Sequence, residues 1–387
     1  MVTLQMIQEA QESLKGIARK TPLENANRLG ENIYIKSENL QLTGAFKIRG
    51  AYNKIRSLTP EEASHGVIAC SAGNHAQGIA LSATKLGIKS VICMPEGAPI
   101  SKVEATRNYG AEVVLVPGVY DDAAREAERL SKEHGYTFAH PFNDPYVIAG
   151  QGTIGLEILE QLPEVEQVVV PIGGGGLAAS VACWLKKFWP HIKVIGVEGI
   201  DQASMKTSIE QGRRVNLDYV DVFCDGTAVH IPGELTYPLC RELVDEFVTV
   251  TNNEVCQAIR AMWESSRVVP EPSGAMSLAG FLKQWNRGEV KPEEKSFVVI
   301  SGANMDFTHL TQIARQAGIG NHETRYLRIS MDSKRGQVLK YLRHIPQDTT
   351  LVDVQYGKTE GNTQHPVFGI AASDEDLNTI RTTLKKK

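Results

Sequence analysis

The sequence is short of several things at once. Aromatic residues make up only 6% of its 387 positions, and the charges nearly balance, 41 Lys and Arg against 45 Asp and Glu. Without a surplus of positive charge to neutralise a phosphate backbone, nucleic-acid binding is not expected. Long apolar runs are missing too. The first twenty residues, MVTLQMIQEAQESLKGIARK, mix Gln, Glu and Lys among the apolar positions, which argues against a signal peptide or membrane anchor and for a cytoplasmic protein. The six cysteines, Cys70, Cys93, Cys183, Cys224, Cys240 and Cys256, never form a Cys-x-x-Cys pair, so neither a zinc site nor a disulfide framework is expected. They read as small buried apolar residues. What remains is an ordinary globular composition, 42% hydrophobic, long enough for two or three domains and suited to a small-molecule partner.

From Gly66 onward, short β-branched runs alternate with helical patterns: VIAC, HAQGIALSATKLG, SVICMP, a helix opened by Ser101 with Glu104 as a capping box, then EVVLVP. The alternation resumes after Gly150 with QVVVPI, a glycine run, LAASVACWLKKF and KVIGVE, and SFVVISGAN follows later. These βαβ units predict an α/β fold with two parallel-sheet domains covered on both faces. The polar, glycine-containing stretch QAGIGNHETR breaks the pattern near residue 320, and a βαββα tail follows that is large enough for a small α+β module.

Four places could carry chemistry. In the helix that starts near Lys47, after the turn in SENLQLTGAFKIRGAYNK, Ile48, Ala51, Tyr52 and Ile55 share one face, which puts Arg49, Lys54 and Arg56 on wet faces. By periodicity alone, Lys47 belongs with that solvated set. Its place in the first helical turn, beside Ala45 and Phe46, exposes it to the positive end of the helix dipole with little solvation. Both effects depress its pKa and make it a candidate nucleophile for a carbonyl. In ACSAGNHAQGIA, a strand ends at Cys70, and Ser71, Ala72, Gly73 and Asn74 turn into a helix whose free N–H groups suit an anion. Asn74 is equally readable as an N-cap. In VVVPIGGGGLAAS, Gly173, Gly174, Gly175 and Gly176 let backbone N–H groups close around phosphate oxygens. That segment also fits a dinucleotide fingerprint from Gly173 to Ala178, with Glu198 as its acid. In VVISGAN, Ser301 ends a strand at the edge where open α/β sheets bind ligands.

A phosphate cradle, a low-pKa lysine and polar groups at several strand ends together suit a phosphorylated aldehyde held as a Schiff base, pyridoxal phosphate. A dinucleotide would leave Lys47 unexplained. The motifs TGAFKIRGA, SAGNHAQG, GGGGL, EPSGA and SGAN, in this order over residues 1 to about 320, resemble the tryptophan synthase β family of pyridoxal phosphate enzymes (fold type II), and within it the threonine dehydratases. The resemblance implies that Lys47 holds the cofactor with Phe46 beside its ring, and that Asn74 hydrogen-bonds the ring oxygen. Gly173, Gly174, Gly175, Gly176 and Leu177 would bind the phosphate, and Ser301 would face the pyridine nitrogen. The turn of Ser71, Ala72, Gly73, Asn74 and His75 would take the substrate carboxylate. The implied reaction is loss of water from L-threonine or L-serine, giving 2-oxobutanoate or pyruvate and ammonia.

Three departures from the family qualify that reading. Ala45 stands where Ser is frequent, removing a hydroxyl near the phosphate for which the four glycines compensate. Ala72 stands where related serine racemases carry a serine base, which disfavours racemisation relative to elimination. Glu198 matches a cation-binding acid of those relatives, but Ser204 supplies no second acid, so no metal is expected. The resemblance implies a catalytic region over 1–320, with a small domain of about 51–150 inserted in a larger one. It also implies a shortened ACT-like regulatory module over 321–387 with isoleucine or valine as effector, and a homodimer or homotetramer. A nicotinamide-dependent oxidoreductase and a non-catalytic amino-acid sensor are the competing readings.

Overall fold

A computed structural model of the chain describes residues 2–320 and, beyond them, 324–332, 334, 336–343, 345, 349–355, 363–372 and 374–385. The chain divides into two compact units, Met1–His309 and Leu310–Lys387.

In the first unit, β1 (Leu23–Asn25), β2 (Ile33–Ser37), β7 (Gln167–Pro171), β8 (Lys193–Gly199), β9 (Glu246–Val250) and β10 (Ser296–Ile300) form one sheet in the order β1-β2-β10-β7-β8-β9. All neighbours in it are parallel except the β1–β2 pair. A second, wholly parallel sheet, in the order β5-β4-β3-β6, joins β3 (Val67–Cys70), β4 (Ser90–Pro95), β5 (Glu112–Val116) and β6 (Thr137–Phe138). All six strands read in the sequence before residue 320 are present. β1, β2, β6 and β9 were not read, because short or charge-bearing strands give little periodic signal.

Strand alternation separates two layers on the smaller sheet. Val67, Ala69, Ile92 and Met94 pack with Ala51, Ile55 and Ile79, while Ile68, Cys70, Val91 and Cys93 pack with Ala123 and Ala127. The larger sheet needs no such alternation. Gln167–Pro171 and Ser296–Ile300 are buried throughout, as expected of a parallel sheet covered on both faces. Five of the six cysteines are buried and Cys183 is half-buried.

One helix start differs from expectation. The helix after β4 is Ile100–Asn108, with Pro99 at its N-cap and no side-chain cap. The Ser101 hydroxyl donates to Asp306 instead, so Ser101 and Glu104 form no capping box.

In the second unit, strands Arg325–Arg328, Val367–Ala371 and Thr350–Gln355 form an antiparallel sheet in that order, and Met331–Asp332 pairs with Thr363–Gln364. Leu327, Ile370, Leu377 and Ile380 form its core. Residues 321–323 at the expected module boundary, and Lys386 and Lys387 at the end of the tail, lie outside the described residues.

Candidate active site

Lys47 opens the helix Lys47–Arg56, with Phe46 at its N-cap. The preceding Gly44 adopts φ +69°, a left-handed turn in which a side chain is strained. The lysine is half-buried and lines a cavity of about 370 Å³. Its Nζ donates to the Pro141 carbonyl at 2.9 Å and lies 5.3 Å from the centre of the Phe46 ring. Burial pushes the lysine pKa down from 10.5 to about 8, against the opposing pull of Glu271. The neighbouring imidazoles stay neutral. Burial, and then the Lys47 charge, lowers His75 to about 3 and His140 to about 4.

Every residue that the resemblance assigns to cofactor or substrate lines this one cavity: Phe46, Lys47, Ser71, Ala72, Gly73, Asn74, His75, Gly173, Gly174, Gly175, Gly176, Leu177 and Ser301. β3 ends at Cys70 and the helix Asn74–Leu86 begins four residues later. Gly73, not Asn74, occupies the N-cap position, and the Asn74 side chain donates to Glu271 Oε1 at 2.6 Å. The N-cap reading of Asn74 is thereby corrected. The N–H groups of Asn74, His75 and Ala76 have no acceptor among the described residues, as expected at a helix start.

The glycine run lies between β7 and the helix Gly176–Phe188. A Cβ on Gly174 would sit 2.4 Å from the Phe142 ring, one on Gly173 2.9 Å from Thr227 Cα, and one on Gly175 2.5 Å from the Met205 terminal methyl. Side chains are excluded here because neighbouring segments press against the loop. The N–H groups of Gly173 to Leu177 meanwhile find no acceptor among the described residues. A loop with five free donors at a helix start is an anion cradle. Together with an enclosed amine on the same cavity, it fits a phosphorylated aldehyde.

Two other expectations fail. Arg49 does not sit on a wet face. It is 1% exposed, with Nε and one terminal nitrogen on the Glu38 carboxylate at 2.8 Å and the other terminal nitrogen on Glu157 at 2.6 Å. Periodicity cannot distinguish a solvated cation from one buried against carboxylates. Glu198 does not face the cavity as a ribose ligand would. Its carboxyl accepts the N–H groups of Met205 and Lys206 at 2.9 and 2.8 Å, capping the helix Ser204–Glu210, and the dinucleotide fingerprint loses its acid.

Sequence reasoning assigned nothing to Glu271, Asn304 or Pro141. Glu271 was within reach, since it opens the EPSGA motif. Burial, and then the charge of Asp225, raises its carboxyl to about 8. Pro141 acts through its carbonyl, which leaves no mark in a sequence.

An enclosed lysine, an anion cradle and free helix N–H groups at the ends of parallel strands define a class: enzymes that hold pyridoxal phosphate on a lysine. The chain belongs to the family of pyridoxal-phosphate dependent enzymes, whose model matches residues 14–302. It is 48% identical over 317 residues to an L-threonine ammonia-lyase of Thermotoga maritima, covering 81% of this chain and 78% of that protein. It is 43% identical to a biosynthetic L-threonine dehydratase of Haemophilus influenzae, over 84% of this chain but 64% of that longer protein. Among solved structures, the processed form of threonine deaminase isoform 2 from Solanum lycopersicum superposes with a TM-score of 0.79 at 43% identity, covering 81% of this chain and 93% of that one. Maize serine racemase superposes with a TM-score of 0.76 at 34% identity, over 83% of this chain and 99% of that one.

Proposed function

We infer that the chain eliminates water from L-threonine and L-serine, giving 2-oxobutanoate or pyruvate and ammonia. The observation that carries this reading is the convergence of Lys47, the glycine cradle, the start of the helix Asn74–Leu86 and Ser301 on one cavity, in a chain whose relatives bear threonine ammonia-lyase and dehydratase names.

In this reading Lys47 holds the aldehyde carbon with Phe46 beside the ring, and Asn74 reaches the ring oxygen. The N–H groups from Gly173 to Leu177 take the phosphate, and Ser301 faces the ring nitrogen. The turn from Ser71 to His75 takes the substrate carboxylate on the free N–H groups of the helix start. Bound there, pyridoxal phosphate supplies an electron sink for the charge left at Cα when a proton departs. Lys47, once its amine is released, is the base that takes that proton. With its pKa lowered to about 8, an appreciable share of the amine is neutral at neutral pH. Ser301 would offer the ring nitrogen a hydroxyl where a carboxylate would hold it protonated, leaving charge at Cα less deeply trapped and favouring loss of the β-hydroxyl, which departs as water on gaining a proton. Ala72 provides no hydroxyl base on the opposite face, which favours elimination over racemisation.

Incubating the cofactor-loaded enzyme with L-threonine and L-serine tests the reading: 2-oxo acid and ammonia are expected in equal amounts. A fully loaded enzyme that makes neither rejects it.

The same reading makes 1–320 the catalytic region, with 51–150 nested within it, and 321–387 an ACT-like module answering to isoleucine or valine. It makes the enzyme a cytoplasmic homodimer or homotetramer that needs no metal. Among the described residues no helix is long and apolar enough to cross a membrane. A threonine saturation curve unchanged up to millimolar isoleucine and valine would reject the regulatory role.

A further inference from the structure

Three of the sequence motifs meet in one hydrogen-bonded network that the reaction as described does not use. Asn74 comes from SAGNHAQG, Glu271 from EPSGA and Asn304 from SGAN. Asn74 Oδ1 accepts from Asn304 Nδ2 at 2.7 Å, and Asn74 Nδ2 donates to Glu271 Oε1 at 2.6 Å. Asn304 Nδ2 also donates to the Thr43 carbonyl at 2.6 Å. The network is tightly enclosed. A Cβ on Gly44 would lie 2.5 Å from Asn304 Oδ1, and one on Gly302 would lie 2.3 Å from Glu271 Oε1.

A free asparagine amide can rotate by half a turn and exchange its oxygen for its nitrogen. Asn74 cannot do so without setting oxygen against the Glu271 oxygen and nitrogen against the Asn304 nitrogen. Asn304 cannot turn to accommodate it, because its own oxygen would then face the Thr43 carbonyl. One Asn74 N–H is taken by Glu271, so the group left for the cavity, which Asn74 lines, is the second N–H. Glu271 is 2% exposed; ionised it only accepts, and protonated it can also donate, so in that form Asn304, held by the Thr43 carbonyl, fixes the sense of the Asn74 amide.

We propose that Glu271 and Asn304 are positioning residues that lock the Asn74 amide with an N–H, never its carbonyl, toward the cofactor's ring oxygen. This rests on the reading that Asn74 faces that oxygen. A fixed donor there favours the anionic form of the oxygen, and an amide carbonyl would disfavour it.

The test compares Glu271→Leu, Glu271→Gln, Asn304→Ala and Asn74→Ala with the parent enzyme. The readouts are pyridoxal phosphate affinity of the apoprotein by equilibrium dialysis, the cofactor absorption band, and kcat and KM for threonine. Glu271→Leu and Asn304→Ala are expected to weaken cofactor binding about tenfold, the scale of one hydrogen bond to a charged group, to shift the band, and to lower kcat more than KM. Glu271→Gln retains an acceptor oxygen and is expected to restore most of each. The Glu271→Leu/Asn74→Ala double variant should be no worse than Asn74→Ala alone. Losses that multiply in the double variant, a band and affinity untouched by Glu271→Leu, or a Glu271→Gln variant as impaired as Glu271→Leu would each overturn the proposal. If Glu271→Leu does not fold, Asn304→Ala carries the same comparison. An Asn74→Ala variant with parental affinity and band would remove the assumed role of Asn74, and this lock with it, while leaving threonine elimination to stand or fall on its own assay.

Discussion

Lys47 and Arg49 stand two residues apart on one helix and both carry their cations inward, yet their surroundings treat them oppositely. Arg49 meets two carboxylates, Glu38 and Glu157, and also the Thr153 hydroxyl and the Arg19 carbonyl, each at 3.1 Å. Glu157 also pairs with Lys36 at 2.6 Å. Burial works against the arginine charge, but the carboxylates more than offset it and its pKa is raised. Lys47 has one carbonyl within hydrogen-bond reach and two neutral imidazoles nearby, and its pKa falls. A buried cation that is fully paired ties elements together, whereas one left with a lone carbonyl becomes a base and a nucleophile.

The contrast can be broken at either end. Lys47→Ala is expected to lower threonine turnover by at least about 10³-fold, since the base and the amine that receives the aldehyde vanish together. Its melting temperature should stay at or above that of the parent, because the amine removed is poorly paired. A variant with parental turnover would remove Lys47 from the mechanism. Arg49→Met should show the converse, losing about 3 to 5 kcal/mol of stability in denaturant titrations as Glu38 and Glu157 are left buried without their cation. Melting indistinguishable from the parent would mean the cluster holds nothing together.

The smallest effect sharpens the comparison. With a pKa of about 8, roughly a tenth of the Lys47 amines are neutral at pH 7, against fewer than one in a thousand at the ordinary 10.5. The sign follows from the lowered value: deprotonation is complete at a lower pH than for a solvated lysine. The rate at which apoprotein combines with pyridoxal phosphate, followed by absorbance, should therefore rise about tenfold per pH unit below 8 and level off above it. A rate still climbing at pH 10 would show that the cavity does not desolvate the amine.

The two cations also mark what the sequence could reveal. Lys47 was legible because a turn, an apolar flank and a helix start are all local. Arg49 was misread because its partners lie 11 and 108 positions away, and no local pattern announces a carboxylate folded against it. Asn74 was placed on the right wall and given the wrong alternative, since the choice between capping and bridging to Glu271 depends on a residue 197 positions distant. The glycine run was read as an anion cradle, and its N–H groups are free. The close approach of Phe142 and Thr227, which excludes side chains there, arises only when separate segments pack.

Alternating β-branched strands and helices, glycines at the strand ends and one lysine at a helix start were enough to dictate parallel sheets and the chemistry of a phosphorylated aldehyde, because backbone periodicity and helix-terminus electrostatics are set by neighbours along the chain. Tertiary structure alone decided which buried charges are paired, which side chains the Asn74 amide bridges, and how far the lysine pKa falls. Desolvation and hydrogen-bond partnership depend on atoms that only folding brings within a few ångströms.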